Sequence, residues 1–189
     1  MTLLDVPPGR GRGRLILLGL FVLFFGSVLG AGVLRFSGWQ PDGMKNHGQL
    51  LHPPGDVRAL NPALADGGTY RWQQPQRTWR IALAPPVACV ADCVALSRQL
   101  DTVWRLFGHN ADQVHILWIG TPPPGAAQPS SLRVLARDPA LLAALPRVDD
   151  PAGVPVYVID PNGFVVMRFA PGFDPAELRA DLAKLLKLI

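Results

Sequence analysis

The sequence contains very little cysteine: two residues among 189, both within the stretch PPVACVADCVALSRQL, residues 85 to 100. A C-x3-C pair with no other thiol in the chain suits three uses, namely a metal clip, a redox dithiol or a structural disulfide. The sequence also has no glycine-rich phosphate loop and no Ser-His-Asp arrangement, so it gives no support to nucleotide or hydrolase chemistry. The search for chemistry therefore leads to Cys89 and Cys93.

A basic surface for nucleic acid is absent, although the net charge is +4. Residues 1 to 36 hold four arginines and one aspartate, which leaves fourteen basic and thirteen acidic side chains in the rest. That remainder has no basic run with interleaved aromatic residues, as a nucleic-acid surface needs. We therefore exclude a nucleic-acid partner.

One long apolar run stands near the start of the chain. Twenty uncharged residues, Leu15 to Leu34, lie between Arg14 and Arg35 and would span roughly 30 Å as a helix, the thickness of a bilayer core. The alternative is a cleaved signal peptide, but the run is longer than a typical signal core. We predict a transmembrane anchor over 15–36.

The arginines set the orientation of this anchor. Three of them precede the run and one follows closely, so the positive-inside rule predicts that residues 1–14 stay in the cytoplasm. The chain is then a single-pass protein of the inner (cytoplasmic) membrane with its C-terminal part on the exported, periplasmic side. In that oxidising compartment a disulfide persists.

Residues 37–77 are rich in Pro, Gly, Asn and Gln and show little periodicity, which predicts a linker between the anchor and a domain. Gly67 and Gly68 stand before an alternating run and predict a small hairpin at its end.

The compact domain is predicted over 78–189, with the element order β-α-β-(β)-α-β-β-α. Its strands are WRIALAP, QVHILWIG, a weak LRVLA, VYVID and FVVMRF, and the Asn162-Gly163 pair predicts a hairpin between the last two. The first helix follows the first strand at the cysteine pair. The last helix starts with Asp174 as N-cap, Pro175 at N1 and Glu177 at N3. This order of α and β elements is that of a thioredoxin-like fold.

The chain resembles the Sco/SenC-like branch of the thioredoxin-like superfamily, membrane-anchored proteins associated with cytochrome c oxidase assembly. The marks of the resemblance are CVADC, VYVIDPNGFVV, RFAPGFDPAELRADLAKLLK and the NHGQLL that follows the anchor. The resemblance implies a mixed sheet flanked by helices and a protein partner, either an oxidase subunit or a copper-carrying protein.

One departure from this family concerns copper. Sco-like copper chaperones pair the two cysteines with a histidine shortly before the strand that matches VYVID, and Cu(I) then has two thiolates and an imidazole. Here that position is near Ala152, and no histidine follows His115. The copper site of the family is therefore incomplete, and Cu(I) bound by Cys89 and Cys93 is the alternative interpretation.

A proline stands close to the missing histidine. Val154-Pro155 resembles the cis proline that faces the cysteines in thioredoxin-type oxidoreductases, whereas the plain alternative is a trans proline at the start of an edge strand. We expect the functional role, which makes Cys89, Cys93 and Pro155 the predicted site.

The cysteines are expected at the start of the first helix of the domain. There the unpaired backbone N–H groups and the helix dipole favour a thiolate at Cys89, with Cys93 one turn further on the same face. Asp92 opposes a negative charge next door, and VACVADC offers no Lys, Arg or His, so a strongly activated nucleophile is not indicated.

The other soft or titratable side chains have structural explanations. His47 and His52 fall in the predicted linker, His109 in a turn after the first helix, and His115 in a strand as a packed or edge residue. Met44 and Met167 are expected to be linker and core residues rather than copper ligands.

Three functions remain open from these residues and this resemblance. The leading one is an exported accessory of cytochrome c oxidase assembly that performs thiol-disulfide exchange through Cys89 and Cys93. The second is a Cu(I)-binding metallochaperone with an incomplete ligand set. The third is a non-catalytic assembly scaffold with a structural disulfide.

Overall fold

The computed structural model describes residues 10–37, 46–72 and 77–187, and the chain divides into two compact units, residues 1–45 and 46–189. The first unit contains one helix, α1, Arg10–Phe36. Its part Gly13–Phe36 has a mean hydropathy of 2.4 and is long and apolar enough to cross a membrane. The apolar side chains from Leu15 to Leu34 are exposed on all sides of the helix, as a helix surrounded by lipid requires.

The second unit is built on a six-stranded mixed sheet. In chain order the strands are β1 (Gln49–Asp56), β2 (Trp79–Leu83), β3 (Val114–Ile119), β4 (Leu132–Leu135), β5 (Val156–Ile159) and β6 (Phe164–Phe169). Across the sheet the order is β1-β6-β5-β2-β3-β4. Strands β2, β3 and β4 run parallel, while β5, β6 and β1 join by antiparallel pairing. The thioredoxin-like mixed sheet predicted from the sequence is confirmed.

The helices of the domain follow the predicted order: α2 (Ala91–Arg105), α3 (Pro139–Ala143) and α4 (Pro175–Leu186), with a 3-10 turn at Gly108–Gln113. Asp174 and Pro175 begin α4 as predicted, and the Asp174 carboxylate accepts a hydrogen bond from the backbone N–H of Ala176 at 2.8 Å. The carboxylate therefore caps the second residue of the helix, whereas a capping box would use the N–H of the third residue, Glu177.

The first face of the sheet packs on α2 and α4. Every second residue of the strands points to this face, and one face of each helix packs against them to form one core. The strand side is formed by Trp79, Ile81, Leu83, Ile116, Trp118, Val156, Val158, Met167 and Phe169, and the helix side by Cys93, Leu100, Val103, Leu178, Leu182 and Leu186.

The second face is covered by a part of the chain that the sequence predicted as linker. Val57, Tyr70 and Trp72 are buried against the alternate residues of the same strands, together with Leu141 of α3. We call residues 57–72 the cover segment. The linker prediction for 37–77 is wrong for residues 46–72, because burial of the second sheet face requires apolar side chains that α3 is too short to supply.

The small hairpin predicted at Gly67 and Gly68 is present within the cover segment. Ala63 bridges Thr69 across the turn, and both glycines have positive φ. The same turn lies on the edge of the sheet, where the N–H of Ala65 bonds to the Val134 carbonyl and the N–H of Ala136 bonds to the Ala63 carbonyl. These bonds give backbone hydrogen-bond partners to the outer edge of β4.

A buried guanidinium holds the cover segment to the sheet. Arg80 of β2 is fully buried on the second face and donates to the hydroxyl of Tyr70 at 3.0 Å, to the carbonyl of Asp160 at 2.7 Å and to the carbonyl of Trp72. Tyr70 and Trp72 both belong to the cover segment. A buried polar group without partners is costly, so Arg80 and the cover segment depend on each other.

A buried carboxylate holds the start of the domain against α4. Asp181 is 2% exposed and accepts hydrogen bonds from the backbone N–H groups of His47 at 2.6 Å and Gly48 at 3.0 Å, and from the Lys184 ammonium at 3.0 Å. A Cβ at Gly48 would lie 2.5 Å from the Met167 sulfur, so only glycine permits this approach.

We predict that Asp181→Asn destabilises the domain by about 2 kcal/mol, since the neutral amide offers one weaker acceptor to the two backbone donors. The pKa of Asp181 is lowered in the folded protein: burial raises it, but the N–H of Gly48, the Lys184 ammonium and His47 together outweigh that effect. Its stabilising contribution is complete above the unfolded carboxyl pKa and is lost as the pH falls through the lower folded value.

Chemical denaturation of the full-length chain in detergent at pH 7 and at pH 3 measures both effects. Glu177→Gln, on the same helix without a buried acceptor role, is the matched control and should change the free energy of unfolding by only a few tenths of a kcal/mol. Equal stability of the Asp181 variant and the parent at pH 7 would contradict the assignment.

Candidate functional site

The cysteine pair follows the end of the central strand β2. After Leu83 the chain makes a turn in which the N–H of Cys89 bonds to the Pro86 carbonyl at 3.0 Å, and α2 begins at Ala91. Cys89 precedes the helix by two residues, and Cys93 is its third residue. The strand fixes one end of the loop and the helix fixes the other.

The two sulfurs form a disulfide. The S–S distance is 2.01 Å and the Cα atoms are 5.7 Å apart. Cys93 is completely buried in the core beneath α2, whereas Cys89 packs against the edge of that core and is only half-buried. Cys89 is thus the cysteine of the pair that reaches the surface.

The surroundings of Cys89 are apolar and exposed, which sequence reasoning missed. The Val87 side chain is 95% exposed and the Val90 side chain 56% exposed. Valine is normally buried, and two exposed valines on either side of a half-buried sulfur form an apolar rim. The sequence showed the apolar letters but not that they face outward.

The charges around the loop are few. Asp92 in the first turn of α2 is exposed, and no side chain caps the helix at Val90. Arg137 donates to the Pro85 carbonyl at 2.7 Å and so supports the loop from the region after β4. Arg137 is a further residue that the sequence analysis did not single out, because it is distant in the sequence.

The proline of the predicted site differs from expectation. In the described residues the Val154–Pro155 bond is trans, so the expected cis proline is wrong. Pro155 is buried at the start of β5, where its strand is internal rather than an edge. Its neighbour Val154 lines an open groove of about 350 Å³ beside α2, together with Asp92, Leu96 and Phe173. We call this the α2 groove.

The histidines lie away from the cysteines or bind other groups. His47 is not in a linker: its ring nitrogen lies 3.1 Å from Asp181, at the start of the domain. His52 lies in β1 and His109 in the 3-10 turn. His115 accompanies Arg80 on the second sheet face, opposite the face that buries Cys93.

A copper site with a third protein ligand does not fit the described residues. They contain no group of three His, Cys, Asp or Glu side chains that could hold a metal ion. Met167 is 3% exposed in the core, as predicted, while Met44 lies outside the described residues. Within the described part of the chain, the reduced pair would offer Cu(I) two sulfurs without a third Cys, His, Asp or Glu ligand.

His115 is a half-buried residue packed in the sheet, in agreement with its prediction as a packed or edge residue. Its Nδ1 lies 2.8 Å from the Tyr70 hydroxyl, which also accepts from Arg80. Burial, together with the positive charges of Arg133 and Arg80, lowers the pKa of His115 to about 4. The imidazole is therefore neutral at pH 7, and its hydrogen bond with Tyr70 helps to hold the cover segment on the sheet.

Comparison with known proteins places these features in a family. The family described as "Transmembrane-like, thioredoxin-like, C-terminal domain" matches residues 79–189. None of the curated proteins matches the chain.

Three solved structures share the fold at low sequence identity. BsSco, a member of the Sco family of cytochrome c oxidase assembly proteins in which a disulfide switch was identified, is 13% identical with a TM-score of 0.54 and covers 75% of this chain and 98% of its own. A SCO1/SenC family lipoprotein from Bacillus anthracis is 14% identical with a TM-score of 0.51, at coverages of 72% and 99%. Trgpx in its apo form is 11% identical with a TM-score of 0.51, at 70% and 95%. These likenesses show the thioredoxin-like fold.

We predict that His115 titrates with a pKa of about 4 in the folded protein, well below its usual 6.5. Because the folded pKa is depressed, the stability linked to His115 is complete above pH 6.5 and is lost as the pH falls from 6.5 towards 4. NMR titration of the ring protons, assigned with His115→Gln, measures the pKa.

Arg133→Gln should raise this pKa, since one of the two nearby positive charges is removed. An imidazole that titrates near 6.5 in the parent protein would show that His115 is not buried as described.

Proposed function

Since this chain belongs to the transmembrane-like, thioredoxin-like C-terminal domain family, we propose that it is a membrane-anchored protein that exchanges its disulfide with the thiols of a protein partner. The observation that carries this proposal is the asymmetry of the pair: Cys93 is completely buried and Cys89 is half-buried behind an exposed apolar rim. A disulfide kept only for stability has no need of such a rim. Pro155 contributes here by fixing the start of β5 beside the α2 groove.

The chemistry requires two exchanges at sulfur. With the domain reduced, the Cys89 thiolate attacks a disulfide of the partner, and one partner sulfur leaves as a thiolate. Cys93 then loses its proton and attacks the Cys89 sulfur, which releases the second partner thiolate and closes the Cys89–Cys93 bond. Two electrons pass from the domain to the partner, and the reverse sequence oxidises a partner dithiol.

The local charges favour electron transfer from the reduced domain to the partner. A dithiol is a strong oxidant in its disulfide form when the reduced thiolate is well stabilised. Here the exposed Asp92 opposes a thiolate, and within the segment 85–93, which contains no Lys, Arg or His, the start of α2 is the favourable contribution. The disulfide state is therefore the favoured one, and the reduced domain is suited to donate electrons.

A protein, rather than a small thiol, suits the surface around Cys89. Val87 and Val90 expose apolar area that a small hydrophilic thiol such as glutathione would leave in water. A folded or extended partner segment would cover both side chains as it brings its cysteine to Cys89.

The cellular setting of the proposal is cytochrome c oxidase assembly on the exported side of the inner membrane. Its supports are α1, the arginines before it, and the shared fold with Sco/SenC-type proteins, one of them a cytochrome c oxidase assembly protein with a disulfide switch. The partner is then an oxidase subunit or a copper-carrying protein with a cysteine pair.

We predict that Cys93→Ser accumulates a mixed disulfide between Cys89 and its partner in cells that make the oxidase. The variant can perform the first exchange but lacks the sulfur that resolves it. Cys89→Ser is the matched variant and should trap little, because its remaining sulfur is buried. Gel electrophoresis with and without reductant, after acid quenching, detects the adduct.

A Cys89–Cys93 bond that is not reduced in any glutathione buffer, with no adduct in the Cys93 variant, would show that the pair is only a structural disulfide. The domain would then be a scaffold for assembly partners.

We predict further that cells lacking the protein lose most of their cytochrome c oxidase, and that the full-length chain restores it. The double variant Cys89→Ser, Cys93→Ser should restore little, since it cannot transfer electrons. Haem spectra of membranes and oxidase activity measure the outcome. Full restoration by the double variant would favour the scaffold function over exchange.

A further inference from the structure

An open groove lies at the carboxyl ends of the three parallel strands, next to the cysteine loop. It encloses about 570 Å³, and its lining includes Pro85, Val87, Pro122, Val134 and Arg137. We call it the strand-end groove. Val87, two residues before Cys89, lines this groove and is 95% exposed. A ligand in the groove therefore lies next to the loop that carries the accessible sulfur.

The wall of the groove is held in place. Residues 120–131 connect the parallel strands β3 and β4 without a helix, and they contain four prolines. The N–H of Ala127 donates to the Ser97 hydroxyl of α2 at 2.9 Å, and that hydroxyl donates to the Val94 carbonyl at 2.7 Å. A connection with few free torsions and a buried tether offers a preformed surface, which lowers the entropy lost on binding.

One charge marks the groove. Among the described residues that line it, Arg137 is the only charged one. One of its five N–H donors is bonded to the Pro85 carbonyl, so the exposed guanidinium can still donate to a ligand carboxylate. The α2 groove has the opposite character, because its charged lining residue is Asp92.

We propose that the strand-end groove receives an extended segment of the exchange partner that carries an apolar side chain followed by an acidic one, near the cysteine that reacts with Cys89. The apolar side chain covers Val87 and Val134, and the carboxylate pairs with Arg137. This inference rests on the proposed exchange function and adds the sequence class of the partner. The groove selects the partner, and the cysteine pair performs the chemistry.

The experiment measures how fast peptide thiols attack the disulfide of the full-length chain in detergent. The probes are acetylated peptides Cys-(Gly)n-Leu-Glu-amide with n from one to four, and their counterparts that end in Ser-Lys. Each rate is divided by the rate of the same peptide with a small aromatic disulfide, which removes differences in thiol pKa. We expect at least one Leu-Glu peptide to react about fivefold faster than its counterpart, as an apolar contact and an exposed ion pair together allow.

Variants assign this preference to the groove. Val87→Ser and Arg137→Gln should each reduce it towards one, while Arg137→Lys should keep part of it. Leu106→Ser is the matched control, since Leu106 is also an exposed apolar side chain but lies at the C-terminal end of α2 and does not line the groove. Thermal unfolding of each variant verifies that the domain is folded.

The outcomes separate this inference from the proposed function. Equal rates for all peptides, or a preference that is lost in Val154→Ser of the α2 groove and kept in Val87→Ser, would overturn the groove assignment and leave the exchange function in place. A disulfide that none of the peptides attacks, and that dithiothreitol does not reduce, would overturn the exchange function itself.

Discussion

Burial of both faces of strand β2 is the constraint on which the rest of the domain depends. Trp79, Ile81 and Leu83 point to the face packed on α2 and α4, while Arg80 and Ala82 point to the other face. A central strand of this kind is stable only if each face is covered. The two helices cover the first face, and α3 with the cover segment completes the second.

The asymmetry of the cysteine pair follows from this arrangement. The α2 helix must lie on the first face to bury Leu100 and Val103, and this places Cys93 in the same core. Cys89 lies before the helix, at the carboxyl end of β2, where the chain leaves the core. One cysteine is therefore fully buried and the other is partly exposed, which suits the proposed thiol exchange.

Buried polar groups supplement the apolar core at particular points of the domain. Arg80 is satisfied by Tyr70 and backbone carbonyls, and the buried Arg168 of β6 pairs with Asp150. At the start of the domain, Asp181 accepts from His47 and Gly48. Because such groups tolerate few alternative partners, they specify how residues 46–72 join the sheet. The segment after the anchor is thus a structural part of the domain from Asn46 onward.

The sequence by itself determined the elements with strong local signals: the twenty uncharged residues of α1, the apolar runs of β2 and β3, the Asn-Gly hairpin, the Asp174-Pro175 helix start and the cysteine pair at a strand-to-helix junction. Only the tertiary structure decided the role of residues 46–72, since their Pro-rich, aperiodic pattern acquires meaning when Tyr70 and Trp72 meet Arg80. It also decided that Val154–Pro155 is trans and that Val87 faces solvent beside Arg137. Local patterns depend on neighbours in the chain, whereas burial, proline isomer and groove lining depend on residues that are far apart in sequence and meet only in the fold.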